Sequence, residues 1–226
     1  MSRRFIGILV GFAAVAGFAL AQSAQPAAPR REGGLRPSLF FREEWKQLPS
    51  GGEHAVTTEA PGNANLELKL YGASGKEIQL TGNAGDDSNP IHLWTGLCVS
   101  TCAAALRDKS NFVDLTGLGR IRWVTKVSGF HKVRPIIKLG DGTWLVGDEA
   151  DGSTLDWHVS EFSTAEVHWL RLDIEKLLTK GNFVEKPDLS KVDEVGFADL
   201  MPGSGHGPGG WVDVGSIEVY GKPVKR

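Results

Sequence analysis

The chain has 226 residues, of which 41% are hydrophobic and 23% charged, with a formal charge of −2. So mild an acidity gives no field to attract nucleic acid, and no basic amphipathic helix marks a membrane-surface protein. Twenty-nine glycines and eleven prolines break the chain into short runs bounded by Gly, Asn, Asp and Ser, a pattern of strands and turns with little helix.

The first residues read as a processing signal. Arg3 and Arg4 supply a positive start, Phe5 to Leu20 is an apolar run, and Ala19-Leu20-Ala21 fits a small-x-small cleavage site. A signal peptide over residues 1–21 follows, with Gln22 as the mature N-terminus. The alternative is an uncleaved anchor, although a spanning helix prefers about 20 apolar residues. No Cys follows the run, so a bacterial-type lipid anchor has no attachment atom. The expectation is export, periplasmic or secreted, with no membrane span after cleavage. Loss of Arg3 and Arg4 takes the formal charge from −2 to −4. Residues 22–36, rich in Ala, Pro, Gln and Arg, read as a flexible leader, and residues 37–226 as a single β-sandwich domain.

A first strand is expected at Leu39–Trp45. NLELKLYG (65–72) sets Leu66, Leu68 and Leu70 against Glu67 and Lys69, the period of a half-buried strand. KEIQLTG (76–82) follows Ser74-Gly75 and is expected to pair with it as a hairpin. Ile91–Leu97 and Ala103–Arg107 flank a turn holding the only cysteines, Cys98 and Cys102. In an oxidising compartment their spacing favours a disulfide stiffening that turn. Zinc would need about four ligands, which no second Cys pair supplies.

RIRWVTKV (120–127) alternates again, and VRPIIKL with TWLVGD (133–148) form a hairpin about Gly140-Asp141-Gly142. The run continues through Trp169, Leu170 and Leu172, and IEKLLTKG (174–181) is expected to make one helical turn. Val212 to Tyr220 form a closing strand that stops at Gly221 before a basic tail, and it must pair with something earlier. Strand after strand at close spacing argues an antiparallel sandwich.

Four segments carry a resemblance: DLTGLGRIRW (114–123), HWLRLDI (168–174), KVDEVGFADL (191–200) and GWVDVGSIEVYG (210–221). Their order is similar to that of the galactose-binding-like jelly-roll superfamily, which includes carbohydrate-binding modules and complex-I-intermediate-associated domains. The resemblance implies an all-β antiparallel jelly-roll sandwich and glycan recognition. A concanavalin- or laminin-G-like sandwich is the second expectation for the fold. Family members often carry an Asp pair in the closing strand, where this chain has only Asp213, and the insert at 201–210 is longer than the usual turn.

Trp144, Trp157, Trp94 and Trp211 fall on or beside expected loops, whereas Trp123 and Trp169 sit in mid-strand as core residues. Flat aromatic faces suit the C–H face of a pyranose, with polar neighbours pairing to its hydroxyls. GDEADGSTLDWHVSEF (147–162) is the densest polar stretch, and Arg134 and Lys138 share one side of their strand. Trp144, Trp157, Asp148, Asp156, His158 and Arg134 are therefore the expected ligand-binding residues, and a solvated loop is the plainer reading of the stretch. His92 and Trp94 are placed to face the same rim as His206 and Trp211, or simply to end a strand.

No cofactor is expected; a structural calcium held through the Asp-x-x-Asp-Gly run at 148–152 is the alternative, though its spacing departs from a calcium loop. The glycine-rich 203–210 lacks the ending of a phosphate loop, no Gly-x-Ser-x-Gly elbow appears, and the six histidines lack His-Glu-x-x-His spacing. The sequence thus favours a non-catalytic protein that recognises extracellular or cell-envelope glycans. The alternatives are a glycoside hydrolase or lyase using Asp148, Glu149, Asp151, Asp156 or Glu161 with His158, and a structural envelope or assembly module.

Overall fold

The computed structural model describes residues 37–47, 53–202 and 209–226. The signal peptide, the leader and His206 lie outside the described residues. The strands begin with β1 (Leu39–Glu44), β2 (His54–Ala55), β3 (Leu66–Tyr71), β4 (Gln79–Thr81) and β5 (His92–Trp94). Next come β6 (Cys102–Asp108), β7 (Asn111–Asp114), β8 (Arg120–Val127), β9 (Val133–Leu139), β10 (Trp144–Gly147) and β11 (His158–Ser163). β12 (Trp169–Asp173), β13 (Leu178–Val184), β14 (Val192–Asp199), β15 (Val212–Tyr220) and β16 (Lys222–Lys225) complete the set.

All pairings are antiparallel and build two sheets. Sheet A runs β11-β8-β15-β5-β4-β2, with β1 also on β15; sheet B runs β13-β12-β10-β9-β14-β6-β3, with β7 and β16 at one end of β14. Period-two alternation drives this arrangement. In β8, Ile121, Trp123, Thr125 and Val127 are buried, while Arg120, Arg122, Val124 and Lys126 between them are half-buried on the other face. Trp123, Trp169 and Phe197 fill the interior between the sheets with Leu93, Ile121, Val214 and Ile217. The β9–β10 hairpin turns at the expected glycines: Gly142 adopts φ 88°, and the Asp141 carboxylate accepts from the Thr143 N–H.

The antiparallel sandwich, the hairpin at 133–148 and the pairing of the closing strand with earlier strands match the sequence reading. Four local expectations do not. β3 and β4 form no hairpin: β3 pairs with β6 in sheet B and β4 with β5 in sheet A. A short 3-10 turn at Gly75–Glu77 sends the chain from one sheet to the other, so its polar-apolar alternation serves two different layers.

Residues 174–181 make no helical turn; they form a tight turn into β13, with Leu177 at φ 48° and 1% exposed. That leucine folds back over the outer face of sheet B, joining Ala103, Ala105, Ile136, Trp144 and Ala198 in a second apolar cluster. The basic tail is strand β16, which pairs with β7 and is followed by Arg226 over the Phe112 ring.

The disulfide expected between Cys98 and Cys102 is not formed. Both cysteines are fully buried thiols. Cys98 Sγ lies 3.5 Å from the Ser74 carbonyl, and a hydrogen bond with Cys98 together with burial holds the Cys102 thiol well above its ordinary range. They pack as small apolar residues within the core.

Candidate functional site

The outer face of sheet A collects the polar and aromatic residues that alternation keeps out of the core. Leu93 enters the core from β5, so His92 and Trp94 turn the other way; Val212 and Val214 enter from β15, so Trp211 and Asp213 do likewise. Register then sets them side by side. Asp213 lies opposite Trp94 on one neighbour and opposite Lys126 on the other. With Thr81 of β4, the Ser88–Asn89 turn, Glu53 and Trp157, they line an open hollow of about 240 Å³.

Trp157 closes one side of the hollow. Its indole N–H donates to the Ser88 carbonyl at 3.3 Å, and its ring meets His92 edge-on, centroids 5.1 Å apart. The ring lies against Gly215, where a Cβ would sit 3.3 Å from Trp157 Cζ3. Gly215 is the site of a register shift between Val214 and Ser216, a bulge that brings bare backbone to the indole. A second hollow of about 380 Å³, lined by Arg42, Trp45, Asn83, Pro90, Val124 and Gly215, continues along the same face.

Asp213 is the chemically unusual residue of the hollow. It is 5% exposed, and burial pushes its carboxyl up to about 7, against the opposing pull of a Trp211 hydrogen bond and the Lys126 ammonium. Its Oδ1 has no hydrogen-bond partner among the described residues. His92 Nε2 is 3.4 Å away, near enough to feel the charge but outside hydrogen-bond geometry. His92 Nδ1 lies 2.7 Å from the Pro90 carbonyl, which can only accept, so Nδ1 carries the proton and the neutral ring turns a bare Nε2 toward Asp213. Burial, with the Lys126 charge, lowers the His92 pKa despite that bond.

Of the six residues expected to bind ligand, the structure places Trp157 in this hollow. Asp156 precedes it and accepts from the Trp157 N–H, and His158 opens β11, exposed, opposite Thr125. Asp148 sits elsewhere, taking the His168 N–H on Oδ1 and His168 Nδ1 on Oδ2, each at 2.8 Å.

Trp144 and Arg134 belong to sheet B. Trp144 lies on a strand rather than a loop, 8% exposed, with Tyr71 edge-on at 4.9 Å; the Arg134 guanidinium donates to the Gly147 carbonyl. The six residues do not form one cluster.

Of the carboxylates considered for catalysis or calcium, Glu149 is exposed, and the others accept from protein donors. Asp151 Oδ2 accepts from Trp123 Nε1 and Thr125 Oγ1, and its Oδ1 from Ser160 Oγ, at 2.7–2.8 Å. Glu161 pairs with Arg120. With the oxygens of Asp148 and Asp151 each committed to separate donors, the Asp-x-x-Asp-Gly run makes no calcium cradle. Among the described residues no group of three or more His, Cys, Asp or Glu is placed to hold a metal ion. Nor is any helix there long and apolar enough to cross a membrane, a statement that says nothing of a β-barrel.

Asp213, Lys126, His92, Trp94 and Trp211 stand outside the set chosen from sequence, although the His92-Leu93-Trp94 and Trp211-Val212-Asp213 alternations carried the signal. His92, Trp94 and Trp211, read from sequence as able to face one rim, line one hollow; Asp213 and Lys126 join them because β5 and β8 flank β15.

The fold and the hollow together define an antiparallel β-sandwich with an aromatic, polar-rimmed depression on one sheet face. No family model and no curated protein matches the chain. Among solved structures it is similar to several carbohydrate-binding modules. The family 11 module from Clostridium thermocellum, in complex with a β-1,3-1,4-mixed-linked tetrasaccharide, matches with TM-score 0.44 and 16% identity over 78% of this chain and 99% of that one. A CBM29-2 variant complexed with cellulohexaose gives 0.40 and 12% over 75% and 92%, and TmCBM61 with β-1,4-galactotriose 0.38 and 11% over 70% and 90%.

Proposed function

We propose that this is an exported, non-catalytic glycan-recognition protein, a single sandwich domain behind a cleaved signal peptide and a short leader, and that the hollow on sheet A is its site. The carrying observation is that Trp94, Trp157 and Trp211 share one open depression with Asp213, Lys126, Asn89 and Thr81. An indole offers a flat apolar face to sugar C–H groups, and a few fixed polar groups around it orient the hydroxyls. The volume suits one sugar ring, and the adjoining hollow past Gly215 gives room for the next residue of a chain.

The hydrolase or lyase reading has less support, since Asp148, Asp151 and Glu161 each hold a structural contact away from the hollow and Asp156 accepts from the Trp157 N–H. The mature protein is to be screened on a glycan array with a reducing-sugar assay in parallel. Retention of a glycan, its loss in Trp157→Ala, and no sugar release are expected. Retention unchanged in Trp157→Ala and Trp211→Ala would remove this hollow as the site.

A further inference from the structure

Asp213 combines two properties that rarely coexist in a settled core. It is 5% exposed, and one of its carboxyl oxygens has no hydrogen-bond partner among the described residues. Buried polar groups are ordinarily satisfied, and one that is not points to a missing partner. Oδ1 itself is sealed and faces His92 Nε2 at 3.4 Å, while the residue lines an open hollow walled by Trp157, so a new donor to the carboxylate would come from what fills the hollow, on the side the hollow exposes. An ionised carboxylate there is poorly solvated, and burial accordingly holds the acid protonated toward neutral pH. A ligand hydroxyl donating to the carboxylate would stabilise the ionised form specifically, because hydrogen bonds to a charged acceptor are the strong ones.

On the glycan-binding reading above, we infer that occupation of the hollow by a neutral polyhydroxyl ligand ionises Asp213 and expels its proton, so that the site binds at neutral to alkaline pH and releases in acid. The groups facing Asp213 fit this exchange. Lys126 from β8 favours the ionised acid, and exposed Glu53 stands at the mouth before β2. His92 from β5 is the near base, but burial and Lys126 disfavour a second proton on its ring, so the proton leaves to solvent. No other titratable side chain lines the hollow among the described residues.

The test is calorimetric titration of the full mature chain with cellulohexaose, mannohexaose and β-1,4-galactotriose at pH 5 to 8, in two buffers of different ionisation enthalpy. With a carboxyl at about 7, about a tenth of the free protein is ionised at pH 6 and about nine-tenths at pH 8, so affinity should rise about tenfold between them. Close to one proton per ligand should appear in the buffer at pH 6. Asp213→Asn should bind weakly with no pH dependence. Carbon-detected NMR of the Asp213 carboxyl should place its titration near neutrality in the free chain and well below that when ligand is bound.

Affinity that is flat with pH, or stronger in acid, overturns the proton coupling and leaves glycan binding standing. The same holds if the free Asp213 titrates as an ordinary carboxylate. If none of the three saccharides binds at any pH, the glycan reading fails and the coupling with it.

Discussion

Glu194 and Asp213 each lie on an inner strand of their own sheet, and they differ in how far the protein provides for them. Both are acids on central strands and both are nearly sealed, at 0% and 5% exposure. Glu194, on the outer face of sheet B, is fully provided for. Its Oε1 accepts from Lys69 and Lys138 at 3.0 and 3.1 Å, its Oε2 accepts from the Tyr71 hydroxyl at 2.6 Å, and Leu177 closes the neighbouring surface. Asp213 faces an open hollow with one oxygen unsatisfied among the described residues. A buried charge with a complete set of donors is finished structure; one lacking a donor is waiting for a partner.

The largest effect expected from this contrast is at Asp213. Its folded-state pKa lies above the unfolded one, so the folded chain binds more protons between about pH 4 and 7, and this residue's contribution to stability falls as pH rises through that window. The rise from 3.8 to about 7 corresponds to about 4 kcal/mol at 1.36 kcal/mol per unit. Asp213→Asn should therefore stabilise the protein at pH 8 by up to that amount, and the gain should vanish near pH 4. Urea unfolding at both pH values measures it, and a variant less stable than wild type at pH 8 would erase the distinction from Glu194.

Glu194→Ala should do the reverse. It leaves Lys69 without its counter-charge and Lys138 with Asp193 alone, and should cost about 3 kcal/mol at pH 7, toward the low end for a broken buried pair because both lysines are partly exposed. Glycan retention should be unaffected. Leu177→Ala opens the cover of sheet B, and about 2 kcal/mol should be lost in the same unfolding assay.

The smallest stability change is expected for Trp157→Ala. The ring is half-buried and packs on a bare glycine and the edge of His92, so less than about 1 kcal/mol should be lost while glycan retention drops at least tenfold. A stability loss as large as that of Glu194→Ala would make Trp157 a core residue and empty the hollow of its platform.

Much of the sandwich was legible because alternation is a local property. RIRWVTKV shows its buried and open faces in eight consecutive letters, and Gly140-Asp141-Gly142 names its own turn. KEIQLTG failed because the same alternation fits a strand of either sheet, and the turn at Gly75–Glu77 decides between them by geometry alone. IEKLLTKG failed because Leu177 takes a left-handed conformation that its residue type disfavours, held there by burial in a tertiary cluster.

The site was half legible. Trp157 and Trp144 are both expected beside loops, yet Trp144 lies on a strand of the opposite sheet. Asp148 and Asp151 looked like ligands because they are dense in sequence, yet Asp151 is spent on tying Trp123, Thr125 and Ser160 together. Asp213 drew notice as a lone acid in the closing strand. Its setting depends on β5 and β8 lying to either side, which no spacing within the strand reveals.

The position of β15 also governs the order in which the molecule can be made. It lies in the middle of sheet A, with β8 along one edge and β1 and β5 sharing the other. A chain growing from its N-terminus lays down β1, β5 and β8 long before the strand that joins them, so three strand edges stand open until Tyr220 has emerged. Such distant closure makes for slow folding. It also means that a fragment ending before Val212 cannot assemble sheet A or the hollow on its face.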